Sequence, residues 1–188
     1  MDTPGTESGD LSQASFPRPK QLGAGWKYVV DEGDAEEGYS GNGTPALARS
    51  PREIVQTAVP FGCARKTAMP APTHALEVDY RYRGAPVIAV RGAFADPAEA
   101  EAFFAARAKN LRACQGRSGS TAIGPLVQRI TAPATGVLVS DRTPKSDPWR
   151  ELSVLDGNQV VLLAVQSPSG SDALDPAQTR QLVALFRR

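Results

Sequence analysis

Histidine is the scarcest chemistry-bearing residue in this 188-residue chain: there is one, His74, beside two cysteines and two methionines. A Ser-His-Asp or Cys-His constellation would have to be built around that one residue. His74 follows the proline-rich stretch at 70–73, a setting for a solvated or turn histidine rather than a catalytic base. No G-x-S-x-G elbow is present, and Ser118-Gly119-Ser120 reads as linker. One histidine and two distant cysteines cannot close a zinc site. Gly23-Ala24-Gly25 and Gly41-Asn42-Gly43 lack the lysine and the strand-to-helix setting of a phosphate cradle. The expectation is therefore no enzyme, no cofactor and no metal site.

Charge of one sign is also lacking. Twenty-one Lys and Arg against 20 Asp and Glu leave a formal charge of +1, without the basic surplus that draws a protein to nucleic acid or anionic lipid. Nor does any run approach the roughly 18 apolar residues of a membrane span. The longest, at 160–165, is of strand length.

What is present is a set of clear starts and turns. Asp96-Pro97-Ala98-Glu99 combines an N-cap, a proline at the first helical position and a capping-box glutamate. Ala100, Phe103, Phe104, Arg107, Ala108 and Leu111 follow at helical spacing, and Cys114 continues that stripe. Asp175-Pro176-Ala177-Gln178 begins a second helix with Leu182, Leu185 and Phe186 inward. A shorter helix signal at Ser50-Pro51-Arg52-Glu53 precedes Cys63. Period-two alternation over 76–82, a turn at Arg83-Gly84 and a return strand over 86–94 form a hairpin ahead of the first long helix. The order recurs with strands at 152–155 and 159–166 around Asp156-Gly157-Asn158, a Pro/Ser/Gly loop over 167–171, then the Asp175 helix. Further strands are expected at 26–30, 122–130 and 136–141, with a breaker at 131–135. The fold class is α+β: a mostly antiparallel sheet with helices packed on one face, in two hairpin-plus-helix units.

Two cysteines allow one intramolecular pairing, and a Cys63–Cys114 bridge would close a loop of about 50 residues, worth roughly 4 kcal/mol on the chain-entropy model. Two separate buried thiols are the alternative; no C-x-x-C spacing marks a redox-active pair. Residues 1–14 read as a flexible tether ahead of a single domain at 15–188. No leader pattern is visible at the start. Either an exported chain has lost its leader, with the tether spacing the domain from a lipid anchor upstream, or the protein is cytoplasmic.

Asp31, Glu32, Asp34, Glu36 and Glu37 crowd into a glycine-rich loop that matches no EF-hand; it reads as a solvated acidic loop or a surface for a basic partner. Glu77, Asp79 and Glu151 could form paired carboxylates, but alternation with Arg81 and Arg150 points to cross-strand charge pairing. Trp26 and Trp149 each stand at the mouth of an expected strand, as core-edge packing or as the apolar wall of a cleft. The candidate binding residues are Trp26, Tyr28, Trp149, Arg150, Asp31 and Glu32.

Leu22-Gly23-Ala24-Gly25-Trp26, Phe61-Gly62-Cys63 and the segment from Phe94-Ala95-Asp96-Pro97 to Leu111-Arg112-Ala113-Cys114 resemble the extracytoplasmic sensor-like domains of actinobacterial serine/threonine kinases. Small lipoproteins carrying a related module look similar. The likeness covers residues 15–188 in the order of elements. Kinase-type members usually hold two disulfides, whereas this chain can make one. The resemblance implies a helix-and-sheet body with a cleft and a free-standing binding or regulatory module, and carries over no ligand. The expected function is thus a non-catalytic, extracytoplasmic binding or sensor-like domain of the cell envelope, engaging a small ligand or an envelope protein. The alternative is a protein-interaction inhibitor or immunity-type module acting through the acidic loop.

Overall fold

A computed structural model describes residues 5–34, 39–60, 62–64, 66–117, 127–142, 148–166 and 174–187. The Ser118–Ser120 linker, the loop at 167–171, Phe61, Glu36 and Glu37, and the first part of the strand expected at 122–130 lie outside the described residues. In chain order the strands are β1 Trp26–Tyr28, β2 Gly33–Asp34, β3 Tyr39–Ser40, β4 Ala46–Ala48, β5 His74–Tyr82, β6 Ala85–Ala93, β7 Arg129–Ala134, β8 Val137–Arg142, β9 Trp149–Asp156 and β10 Gln159–Gln166. The helices are α1 Pro19–Leu22, α2 Pro51–Thr57, α3 Pro97–Cys114 and α4 Pro176–Phe186.

Tight turns set the two main hairpins. Arg83 and Gly84 both take positive φ, 51° and 87°, as the two-residue turn between β5 and β6 requires. Gly157, φ 58°, does the same between β9 and β10. Eight strands form one antiparallel sheet in the order β1-β5-β6-β10-β9-β8-β7, with β4 also paired to β5; β2 and β3 form a separate ribbon. The hairpins meet at β6–β10, where Gln159 lies opposite Ala93 and Val165 opposite Val87. Asn158 locks that seam, its carbonyl accepting from the Phe94 amide and its side chain donating to the Phe94 carbonyl.

The helix starts follow their sequence signals. Asp96 accepts from the Glu99 amide at 2.9 Å, and Asp175 from the Gln178 amide at 2.8 Å with the Gln178 side chain bonding back. Ser50 makes no side-chain cap, so α2 rests on Pro51 and its packing.

The α+β class and the antiparallel sheet stand, but the helices occupy both faces rather than one. Leu76, Val78, Tyr80, Val87, Ala89, Leu152, Val161, Leu163 and Val165 share one face, packed against Leu22 of α1 and Leu182 and Phe186 of α4. Residues of the opposite parity, including Ala75, Val90, Val160 and Leu162, pack with Ile54 of α2 and Ala100 and Phe103 of α3. The physical reason lies in β10. Its run Val160 to Val165 has no polar position, so both sides must be covered.

Cys63 and Cys114 are bridged, with Cα atoms 5.5 Å apart. The bridge joins a small cluster of Ala108, Leu111, Val127 and Leu138 beneath the end of α3. Two expectations change. The stretch 131–135, expected as a breaker, is mostly strand: β7 runs to Ala134 through Pro133, tolerated because β7 is the sheet edge, with a register shift between Thr131 and Ala134. At the other end, packing reaches into the stretch expected as a tether. The Gly5 carbonyl accepts from the Ala48 amide, Ser8 Oγ accepts from the Ala75 amide, and Leu11 is buried in the core. No helix among the described residues is long and apolar enough to cross a membrane.

Candidate functional site

The α2–α3 face leaves the middle of the sheet partly bare, and the strand register dictates what lies there. Reading across β5, β6, β10, β9 and β8, one row places Asp79, Ile88, Ala164, Glu151 and Ser140 side by side; the next places Glu77, Val90, Leu162, Ser153 and Leu138. Four apolar residues, Ile88, Val90, Leu162 and Ala164, thus form a block two strands wide, with polar and charged residues on each flank. Ile88 is 37% exposed, unusual for a large aliphatic residue at the centre of a sheet. Above this floor is a cleft of about 420 Å³, bounded by Ile54 and Thr57 of α2, Arg107 of α3 and Trp149. That volume is within the range of small-molecule sites, ~300–1,000 Å³.

One flank is a buried ion network. Arg107 points from the apolar stripe of α3 onto β9, donating to Glu151 at 3.0 Å and to Ser153 Oγ. The other Glu151 oxygen takes Arg142 of β8, and Ser140 Oγ lies 3.5 Å from the carboxylate. Burial lowers the Arg107 pKa, and the Glu151 carboxylate opposes that shift. A charge on the inner face of α3 is tolerable because Glu151 meets it; either partner alone would be costly there.

The second flank is looser. Arg49, just after β4, holds Nε 3.6 Å from Glu77 and 3.7 Å from Glu53. Burial pushes the Glu77 carboxyl up to about 6, with Arg49 pulling it down and Asp79 and Glu53 adding to the rise. The Asp79 carboxyl is raised as well, chiefly by burial, against the pull of Arg49. The cleft is therefore an apolar floor between two guanidinium–carboxylate flanks, able to hold an amphipathic molecule by its body and its polar ends.

Of the six residues proposed from sequence, the structure brings Trp149 alone to this cleft. Trp26 is buried on the opposite face, stacked on Tyr82 at 4.9 Å and edge-on to Tyr80; Tyr28 stacks on Tyr80 at 5.3 Å. Arg150 pairs with Asp141 at 2.8 Å and donates to the Leu174 carbonyl. Asp31 is engaged within its own loop, accepting from the amides of Gly33 and Asn42, while Glu32 is exposed beside it. The residues that sequence reasoning passed over are Arg49, Ile88, Arg107 and Arg142. Glu77, Asp79 and Glu151 were set aside as cross-strand pairs with Arg81 and Arg150, but Glu151 pairs with Arg107 and Arg142 instead. The available signal was Arg107 itself, a charge at a core position of an amphipathic stripe.

No protein-family model matches the chain, and no curated protein is similar to it. Among solved structures, the extracellular domain of PknH from Mycobacterium tuberculosis shares the fold, with a TM-score of 0.54 at 11% identity over 97% of this chain and 96% of that one.

Proposed function

We propose that this protein is a non-catalytic, extracytoplasmic sensor-like domain that binds a small molecule in the cleft over Ile88, Val90, Leu162 and Ala164. The observation that carries the reading is that floor: four aliphatic residues at the centre of a sheet, partly uncovered and bracketed by charge. A sheet centre is ordinarily the best-covered part of a domain, and leaving it open forgoes burial worth ~25 cal/mol per Å². Two further facts support the compartment and the class. The Cys63–Cys114 bridge suits an oxidising environment, and the shared fold is that of an extracellular domain. Attachment to the envelope through a lipid anchor upstream is part of the same reading.

The test is a fragment titration followed by Trp149 emission, with Trp149→Phe as the blank for Trp26. Cleft ligands should compete with one another, and their binding should vanish in Ala164→Trp, which fills the floor. Ligands unaffected by Ala164→Trp would remove the reading.

A further inference from the structure

The chemistry of the cleft narrows what fits it. Three arginines, Arg49, Arg107 and Arg142, line the cleft against two carboxylates, Glu77 and Glu151, so its lining carries a net positive charge. Hydrogen bonding leans the same way. Each guanidinium brings five N–H donors and no acceptor, while the acceptors that meet the three are Glu151, Ser153 and, at longer range, Glu53 and Glu77. Nε of all three arginines, like Asp79 Oδ1, is closed to solvent and has no hydrogen-bond partner among the described residues, so any donor offered to a ligand is a terminal guanidinium nitrogen. A ligand that brought another cation would face the surplus, and a neutral hydrocarbon would leave it unanswered. Anionic oxygens supply what the donors lack, through charge-assisted and bidentate bonds. The floor meanwhile offers only aliphatic surface over β6 and β10. Its width from Glu77 on β5 to Glu151 on β9 is three strand spacings, ~14 Å.

Resting on the cleft reading above, we propose that the ligand is a single-chain amphiphile with an anionic head group, a carboxylate or a phosphate monoester. Its aliphatic body lies along Ile88, Val90, Leu162 and Ala164, and its head pairs with Arg49, the arginine whose carboxylate contacts are longest. Arg107, held by Glu151 and Ser153, positions the flank.

Four probes with the same ten-carbon chain test this: decanoate, decyl phosphate, decanol and decyltrimethylammonium, titrated below their micelle concentrations and followed by amide chemical shifts. Saturable shifts at residues 88, 90, 149, 162 and 164 with the two anions, about tenfold tighter than with decanol and tighter still than with the cation, are expected. Preference between decanoate and decyl phosphate names the head group, and either order supports the proposal. Arg49→Gln should weaken the anions about tenfold and leave decanol unchanged. Arg49→Gln is the variant to read, because Arg49 has longer carboxylate contacts than Arg142, which holds the buried Glu151, and its side chain is 37% exposed. Equal binding of decanol and the anions, or no effect of Arg49→Gln, would overturn the head-group assignment while the cleft reading stood. Absence of saturable shifts at the floor with all four probes would overturn both.

Discussion

The two faces of the sheet solve the same problem differently. Under α1 and α4 the face is closed: its apolar residues interdigitate, its aromatics stack, and the buried Tyr80 hydroxyl donates to the Pro17 carbonyl at 2.8 Å. Under α2 and α3 the face is divided between two smaller apolar clusters and a cleft flanked by ion pairs. The closed face is held by burial. The open face gives up part of its burial and carries instead a covalent bridge at the end of α3 and the Arg107–Glu151–Arg142 network. The open face thus keeps its shape by links that do not depend on filling the space of the cleft.

The sharpest way to break this contrast is to remove the bridge. Replacing Cys63 and Cys114 with alanine should cost about 4 kcal/mol, the chain-entropy value for a 51-residue separation, in denaturant unfolding. A cost near zero would mean that the open face needs no covalent link. Leu163→Ala on the closed face should cost roughly 3 kcal/mol, whereas Ile88→Ala in the cleft, already partly solvated, should cost under about 1 kcal/mol. Similar losses would make the two faces equivalent.

Acidity should distinguish the faces too. The folded state raises Glu77 from 4.5 to about 6, so it holds the proton more tightly than the unfolded chain does. Stability from this group is full below pH 4.5 and is lost as pH rises to about 6, an effect of roughly 2 kcal/mol. Glu77→Gln should flatten that slope in unfolding free energies measured from pH 4 to 7.5; an unchanged slope would assign it elsewhere. On the closed face, Tyr80→Phe should cost about 1–2 kcal/mol in the same unfolding measurement by leaving the Pro17 carbonyl without its donor.

Local chemistry was legible in the sequence, and long-range partnership was not. Arg83-Gly84, Asp156-Gly157-Asn158, Asp96-Pro97 and Asp175-Pro176 each fix backbone geometry within a few residues, and the elements they bound lie where expected. The sorting of helices between faces depends on connections. Three residues, 94–96, join β6 to α3, while nine, 167–175, join β10 to α4 and leave α4 free to reach the opposite face. The uninterrupted apolar run at 160–165 was the overlooked sign that both sides are covered. The cleft was harder to see. Glu151 finds Arg107 across 44 residues and Glu77 finds Arg49 across 28, separations that no local pattern encodes. Trp149 was found because a tryptophan at a strand mouth stands out without knowledge of its neighbours.

The β6–β10 seam has a consequence in time. It joins residues 66 to 78 positions apart, while the first hairpin, α3 and the disulfide are all complete by residue 114. Closing so long a loop delays the pairing of the two hairpins, whereas the β5–β6 hairpin needs only neighbouring sequence. Among the described strands β6–β10 is thus the pairing of greatest sequence separation, beyond the 52 to 56 positions of β1–β5, and the floor of the cleft depends on it.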